Sequence, residues 1–239
     1  MLTLYKAVLA PALLLQGARL RRTALRLPEA AGPRTGHVGG SVLPALRLLF
    51  VGDSSAAGVG VAWQHEALAA QTSQMVAAAT NQAVDWELIA KSGANTRDAI
   101  DLIEASNPQP ADVLICALGV NDVTSQTGTK RFIRDYKELL GLVAQRTGAG
   151  TAVLSGLPPL HILPAAPQPL RWYLGQCARR LDTALSQFCA ERQNMRFVSL
   201  AWAQASDMAH DKFHPGKRQY QQWAQRVAQQ ILALPRQQG

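Results

Sequence analysis

Five short apolar runs alternate with longer segments of helical character between residue 46 and residue 234. The runs are rich in Val, Leu and Ile and too short for typical helices, so they indicate buried strands. The predicted strands are Leu46–Val51, Trp86–Ala90, Asp112–Leu118, Thr151–Ser155 and Arg196–Leu200, and the predicted helices are Ala62–Gln82, Thr96–Ser106, Thr129–Arg146, Leu170–Gln193 and Lys217–Leu234. Such alternation requires crossover connections. We therefore expect an α/β fold with a parallel, flavodoxin-like, five-stranded sheet covered on both faces.

The first 44 residues lie outside this alternation. Residues 1–15 are mostly apolar, and arginines follow them at positions 19, 21, 22 and 26. The segment Pro28–Pro44 contains four glycines and three prolines, which favours a linker. We predict an apolar N-terminal helix and Gly/Pro-rich linker over residues 1–44, followed by the main domain over residues 45–239.

The N-terminal segment has three open interpretations. The apolar run is shorter than the about 20 residues that span a bilayer. It can be a peripheral membrane anchor, with residues 1–34 meeting anionic lipid headgroups through their arginines. It can also pack as a helix on the protein's own surface or on a partner. An export signal is the third interpretation, although the basic segment and the cleavage site are poorly developed.

Composition narrows the function classes. Hydrophobic residues make up 48% of the chain and charged residues 17%, which indicates a globular domain rather than a disordered one. The net charge is +8, but no basic run is interleaved with aromatic residues, so we expect no nucleic-acid partner. The three cysteines form no CxxC pair and indicate neither a disulfide framework nor a metal site. This favours a reducing, cytoplasmic compartment, with contact at the inner face of the membrane if the N-terminus is an anchor.

Polar clusters follow three of the predicted strands. They are Gly52-Asp53-Ser54-Ser55, Ser92-Gly93-Ala94-Asn95-Thr96 and Gly119-Val120-Asn121-Asp122. Functional groups gather at the carboxyl ends of strands in such sheets. Taken singly, Ser54 fits an ordinary helix cap better than a nucleophile, and Gly93 and Asn121 equally fit a turn glycine and a turn former. Together they indicate a nucleophile with hydrogen-bond donors for a developing oxyanion.

A fourth cluster, Asp211-Lys212-Phe213-His214-Pro215, follows the fifth predicted strand. The carboxylate of Asp211 and the imidazole of His214 are three residues apart. In a turn, this spacing lets the carboxylate reach Nδ1 and leaves Nε2 to face a serine. The cluster therefore provides a candidate general base for Ser54.

These four blocks, in this order, resemble those of the SGNH hydrolases, also called the GDSL esterase/lipase family. The resemblance covers about residues 46–234 and leaves the first 45 residues outside it. Ser55 stands where the namesake pattern has leucine. The resemblance implies a three-layer α/β/α fold and ester hydrolysis without a metal or cofactor. It implies Ser54 as nucleophile, His214 as base and Asp211 as its orienting partner, with an oxyanion hole formed by Ser54, Gly93 and Asn121.

The substrate class stays broad at this point. Short acyl esters, lysophospholipids, thioesters and acetylated sugars all fit the expected chemistry. A proline-rich loop and the helix that follows it carry several apolar residues. These residues either line an acyl pocket or pack the loop against the helix, and they are Leu160, Ile162, Leu163, Trp172 and Tyr173. The alternatives from other classes are a catalytically inactive SGNH-like binding module and a membrane-associated adaptor.

Overall fold

The computed structural model describes residues 2–40 and 45–234 and shows a six-stranded sheet. The strands are β1 (Thr35–Val38), β2 (Leu46–Gly52), β3 (Val84–Ala90), β4 (Val113–Ala117), β5 (Thr151–Ser155) and β6 (Met195–Val198). They lie in the order β1-β3-β2-β4-β5-β6, and all pairs except β1–β3 are parallel. The five parallel strands have the flavodoxin-like order, so the predicted fold class is confirmed.

Helices cover both faces of the sheet. They are α1 (Leu2–Thr23), α2 (Leu68–Thr80), α3 (Thr96–Ala105), α4 (Val120–Thr124), α5 (Thr129–Thr147), α6 (Leu170–Ala190) and α7 (Lys217–Leu232). One core lies between the sheet and the α3, α5 and α6 layer, and the other lies beneath α2 and α7. Successive strand residues alternate between the two cores, as Leu48 and Leu49 do in β2.

The edge strand β1 corrects the linker prediction. Residues 35–38 pair antiparallel with β3, and Gly36 lies against the indole of Trp86, where a Cβ would be 2.5 Å from Nε1. The strand has only four residues, one of them a glycine, and carries no alternation that the sequence pattern detects. Its pairing satisfies backbone groups at an edge of β3 that would otherwise be open. The folded unit thus extends before the predicted boundary at residue 45. Residues 41–44 of the predicted linker lie outside the described residues, as do Met1 and residues 235–239.

The segment before α2 is also different from the prediction. The predicted helix begins at residue 62, whereas α2 begins at Leu68 after a turn and a short 3-10 helix, Gln64–Glu66. Gly58 and Gly60 in this turn have φ values of 83° and 109°, which a helix does not accept. This turn lies directly beside the candidate site.

Helix α1 packs on α6 through one of its sides. Leu9, Leu13 and Leu20 contact the core at helical spacing, and the Gln16 side chain bonds the backbone of Gln168 and Leu170. Of the three interpretations of this segment, the structure therefore shows contact with the protein's own surface. No helix in the described part of the chain is both long and apolar enough to cross a bilayer.

Candidate active site

Each predicted site residue lies at the carboxyl edge of the sheet. Ser54 follows β2, Gly93 follows β3 and Asn121 follows β4. The segment that carries Asp211 and His214 connects β6 with α7. Because β2, β3 and β4 are neighbours and parallel, their carboxyl ends meet at one place, where the strand order reverses.

Asp211, His214 and Ser54 form a continuous hydrogen-bonded chain. Oδ2 of Asp211 lies 2.5 Å from Nδ1 of His214, and Nε2 of His214 lies 2.8 Å from Oγ of Ser54. His214 Nδ1 thus donates to the carboxylate, which leaves Nε2 to accept the serine proton. Ser54 and His214 are 160 positions apart in sequence, and they meet only because the last loop folds over the turn after β2.

The loop that carries His214 is held by hydrogen bonds between its backbone and the Asp211 carboxylate. Oδ1 of Asp211 accepts hydrogen bonds from the N–H groups of Phe213 and His214, both at 3.0 Å. Burial pushes the pKa of Asp211 upward, but these bonds and the bond from the imidazole outweigh it. The pKa of Asp211 therefore lies below its ordinary value. The carboxylate stays ionised at neutral pH and can stabilise an imidazolium.

The turn that carries Ser54 depends on close packing. A Cβ on Gly52 would lie 2.3 Å from the Cβ of Ala56, so only glycine fits there. Oδ1 of Asp53 accepts hydrogen bonds from N–H and Oγ of Ser55 at 2.9 and 2.6 Å, which agrees with a structural role for this carboxylate. Oη of Tyr220 lies 2.8 Å from the carbonyl oxygens of Ser55 and Val59. These contacts fix the direction of the Ser54 side chain.

Two backbone N–H groups of the candidate oxyanion hole have no acceptor among the described residues. Within residues 2–40 and 45–234, neither the N–H of Ser54 nor that of Gly93 forms a hydrogen bond with the protein. Gly93 has a φ of 85°, and nothing lies within 4 Å of the position a Cβ would take. Glycine is thus required here by the backbone conformation rather than by crowding.

The Asn121 side chain bridges the other two oxyanion candidates. Its Nδ2 donates to the carbonyl oxygen of Ala94 at 3.0 Å and to Oδ2 of Asp53 at 3.3 Å. Ala94 follows Gly93 and Asp53 precedes Ser54, so one amide connects both loops. Both amide hydrogens have partners, and the longer bond to Asp53 is the weaker one to exchange for an oxyanion.

Comparisons with known proteins identify the family of this chain. The family model described as "GDSL-like Lipase/Acylhydrolase family" matches residues 50–222, more than half of the chain. The chain belongs to this family. No curated protein sequence matches the chain.

Several solved structures share the fold of this GDSL-family protein. The lipase Lip_vut3 from a goat rumen metagenome is 15% identical with a TM-score of 0.65, and the match covers 80% of this chain and 99% of that one. Est24, a carbohydrate acetylesterase from Sinorhizobium meliloti, is 16% identical with a TM-score of 0.57, covering 80% and 100%. The psychrotrophic esterase EstA from Pseudoalteromonas sp. is 17% identical with a TM-score of 0.55, covering 78% and 97%.

Asp122 of this GDSL-family protein braces the loop after β3. Its Oδ2 accepts hydrogen bonds from N–H and Oγ1 of Thr96, at 3.0 and 2.9 Å. Burial raises its pKa to about 6, because the bonds from Thr96 offset only part of the desolvation. Asn121 and Asp122 thus hold residues 94 and 96 together, and Gly93 lies beside them.

An apolar cavity of about 70 Å³ opens beside Ser54 and His214. Its wall includes Leu160, Leu163, Trp202, Met208 and Phe213. Of the loop residues that the sequence singled out, Leu160 and Leu163 line this cavity. Ile162, Trp172 and Tyr173 are not among its lining residues.

Some supporting residues were missed at the sequence level. The Gly58-Val59-Gly60 run faintly resembles a phosphate-binding loop, but it is the turn against which the His214 loop packs. Tyr220 and the Asp53–Asn121 contact gave no signal, because both link segments far apart in the chain. In the described residues, no group of His, Cys, Asp and Glu could hold a metal ion.

Proposed function

We propose that this protein hydrolyses carboxylic esters through an acyl-enzyme formed on Ser54. The observation that carries the proposal is the hydrogen-bonded chain from Asp211 through His214 to Ser54. It is supported by the N–H groups of Ser54 and Gly93, which have no acceptor among the residues that the structure describes. Membership of a family of lipases and acylhydrolases supports the same chemistry. The function requires no metal or cofactor, because the imidazole supplies the base and the N–H groups supply the charge stabilisation.

The reaction proceeds in two halves. Nε2 of His214 takes the proton from Oγ of Ser54 as Oγ attacks the ester carbonyl carbon. The tetrahedral intermediate collapses, and the imidazolium returns that proton to the departing alcohol. A water molecule then loses a proton to His214 and attacks the acyl-enzyme, which releases the acid and regenerates Ser54.

The oxyanion is stabilised by donors already in place. Within the described part of the chain, no group accepts a hydrogen bond from the N–H of Ser54 or Gly93, so neither N–H loses a bond to the protein when it donates to the oxyanion. Asn121 contributes a third donor once its amide exchanges the 3.3 Å bond to Asp53 for the oxyanion. The negative charge on Asp211 stabilises the imidazolium that forms at the same time.

The cavity favours an apolar acyl group. Most of its wall is hydrocarbon, and two of its polar groups are engaged elsewhere: Gln219 donates to Gln204 O and Trp223 Nε1 donates to Ser155 Oγ. A buried hydroxyl of a sugar would lose its hydrogen bonds to water there. The limited volume fits a short to medium acyl chain, so we assign esters with such chains as the preferred substrates.

Two measurements test the function. A fluorophosphonate probe is expected to label the native protein and not Ser54→Ala, and p-nitrophenyl esters of increasing chain length are expected to be hydrolysed only by the native protein. Native protein that is folded but neither labelled nor active would instead identify an inactive binding module. Equal rates for the two proteins would exclude Ser54 as the nucleophile.

A further inference from the structure

Helix α1 has two different sides. The side facing α6 carries Leu9, Leu13, Gln16 and Leu20, whose spacings of four, three and four residues follow the helix period. This side is fully explained by packing on the protein. Among the described residues, no contact explains the composition of the opposite side.

The outward side of α1 exposes apolar side chains in a cluster. Val8, Leu14 and Leu15 are 69%, 70% and 69% exposed, and Pro11 between them is exposed as well. Single exposed apolar residues are common on protein surfaces, but a cluster within two helical turns indicates an interaction site.

Cations flank the apolar cluster, and acids are absent. Residues 1–28 contain no Asp or Glu, although five cations lie there: Lys6, Arg19, Arg21, Arg22 and Arg26. All five are exposed, and none forms an ion pair within the part of the chain that the structure describes. More than half of the net charge of +8 therefore lies in one segment.

We propose that α1 docks the protein on a bilayer that contains anionic lipids. Its exposed apolar side chains enter the boundary between headgroups and acyl chains, and its arginines contact the phosphate groups. This partner contacts both the apolar side chains and the arginines of α1. A nucleic acid would engage the arginines but would leave Val8, Leu14 and Leu15 in water.

The docking surface is attached directly to the segment beside the cavity. Gln16 bonds the backbone of Gln168 and Leu170, and the Tyr5 ring lies edge-on to Trp172 at 5.3 Å between centroids. The same segment continues back to Leu163 and Leu160 of the cavity wall. The helix α1 and the candidate site therefore belong to one folded unit, and a protein held at the bilayer by α1 keeps its candidate site near the lipid.

Vesicle co-sedimentation of the full chain tests the proposal. Binding is expected to vesicles of phosphatidylcholine with about 30% phosphatidylglycerol, and not to phosphatidylcholine alone. It is expected to weaken when salt rises from about 0.05 M to about 0.5 M, because the charge attraction is screened. Equal binding to both vesicle types, or binding to neither, overturns the proposal.

Two double variants separate charge from apolar contact. Arg19→Gln with Arg22→Gln is expected to lower vesicle affinity about 30-fold. Leu14→Ser with Leu15→Ser is expected to lower it about tenfold or more, since the apolar area no longer leaves water. All these positions are exposed, so thermal unfolding and hydrolysis of a water-soluble ester are expected to stay unchanged.

The matched control removes two exposed cations elsewhere. Lys130→Gln with Lys137→Gln lies on α5 and is expected to keep native vesicle affinity. A loss as large as that of the arginine pair would show that overall charge acts instead of α1. Tighter, arginine-dependent binding to a DNA duplex than to the anionic vesicles would also overturn the proposal.

Discussion

Gly60 lies directly beneath the carbonyl oxygen of Pro215: a Cβ at Gly60 would be only 2.2 Å from that oxygen. Pro215 follows His214, so this contact sets the distance between His214 and the turn that carries Ser54. Gly60 also has a φ of 109°, a conformation that other residues rarely adopt. Two independent constraints therefore require glycine at this position.

Gly60→Ala is expected to impair both folding stability and activity. The added methyl group must displace backbone, which moves His214 away from Ser54 and lowers kcat more than it raises KM. Gly141→Ala is the control, since Gly141 lies in α5 with nothing within 4 Å of its Cβ position, and it should stabilise the fold by up to about 1 kcal/mol. Native kcat in a folded Gly60→Ala variant would refute the role of this contact.

Asp211→Asn is expected to lower kcat by roughly 10⁴-fold, with little change in KM. An amide at this position cannot stabilise the imidazolium, and it favours the wrong tautomer of His214. Steady-state kinetics with a soluble ester measure the effect. Asp207→Asn is the matched control, because Asp207 lies in the same loop and pairs with Arg218 rather than His214; a similar loss in both variants would contradict the assignment.

Asn121→Ala is expected to lower kcat by about 10²- to 10³-fold, as the loss of one oxyanion donor does. Thr124→Ala, in the same helix, removes only a bond to the Asn121 carbonyl and should leave kcat near native. A transition-state analogue should lose affinity for Asn121→Ala by a similar factor. Unchanged analogue binding would show that the amide only ties the loops together.

Acidification is expected to lower the stability of the fold through Asp211. The low pKa of Asp211 contributes stability above the pKa of the unfolded carboxyl, and this contribution disappears as pH falls through the folded value. Thermal unfolding of the native protein recorded against pH should therefore show a loss of stability at acid pH, and Asp211→Asn should lack this contribution.

Asp122 changes stability with pH in the direction opposite to that of Asp211. Its pKa is raised from 3.8 to about 6, so the folded protein binds the proton more readily than the unfolded chain. Between these values this carboxyl lowers the free energy of unfolding as pH rises. Asp122→Asn is expected to remove that trend from thermal unfolding curves recorded between about pH 4 and about pH 6. An unchanged slope would show that Asp122 is not the group that titrates.

Leu163→Ala is expected to shift the preferred acyl chain toward longer esters, because it enlarges the cavity beside Ser54. It should also cost about 2–5 kcal/mol of stability. Leu185→Ala provides the comparison: Leu185 is buried in the same core without lining the cavity, so stability should fall while chain preference stays native. The same shift in both variants would place the acyl chain elsewhere.

Much of the fold could be predicted from local pattern. The five parallel strands and most helices agree with the structure within a few residues, because buried strands such as Val113–Ala117 are continuous apolar runs. The edge strand Thr35–Val38 could not be predicted in this way. The strand has only four residues, none of them buried, and its pairing with β3 is a property of the assembled sheet.

By itself, the sequence determined the order of the strands along the chain and the polar residues that follow them. A parallel sheet collects the ends of its strands, so Ser54, Gly93 and Asn121 could be expected at one edge. Only the tertiary structure decided the distances: 2.8 Å from His214 to Ser54, Gly60 beneath Pro215, and the Asn121 amide between Asp53 and Ala94. These contacts join segments up to 160 residues apart, and packing rather than local preference sets them.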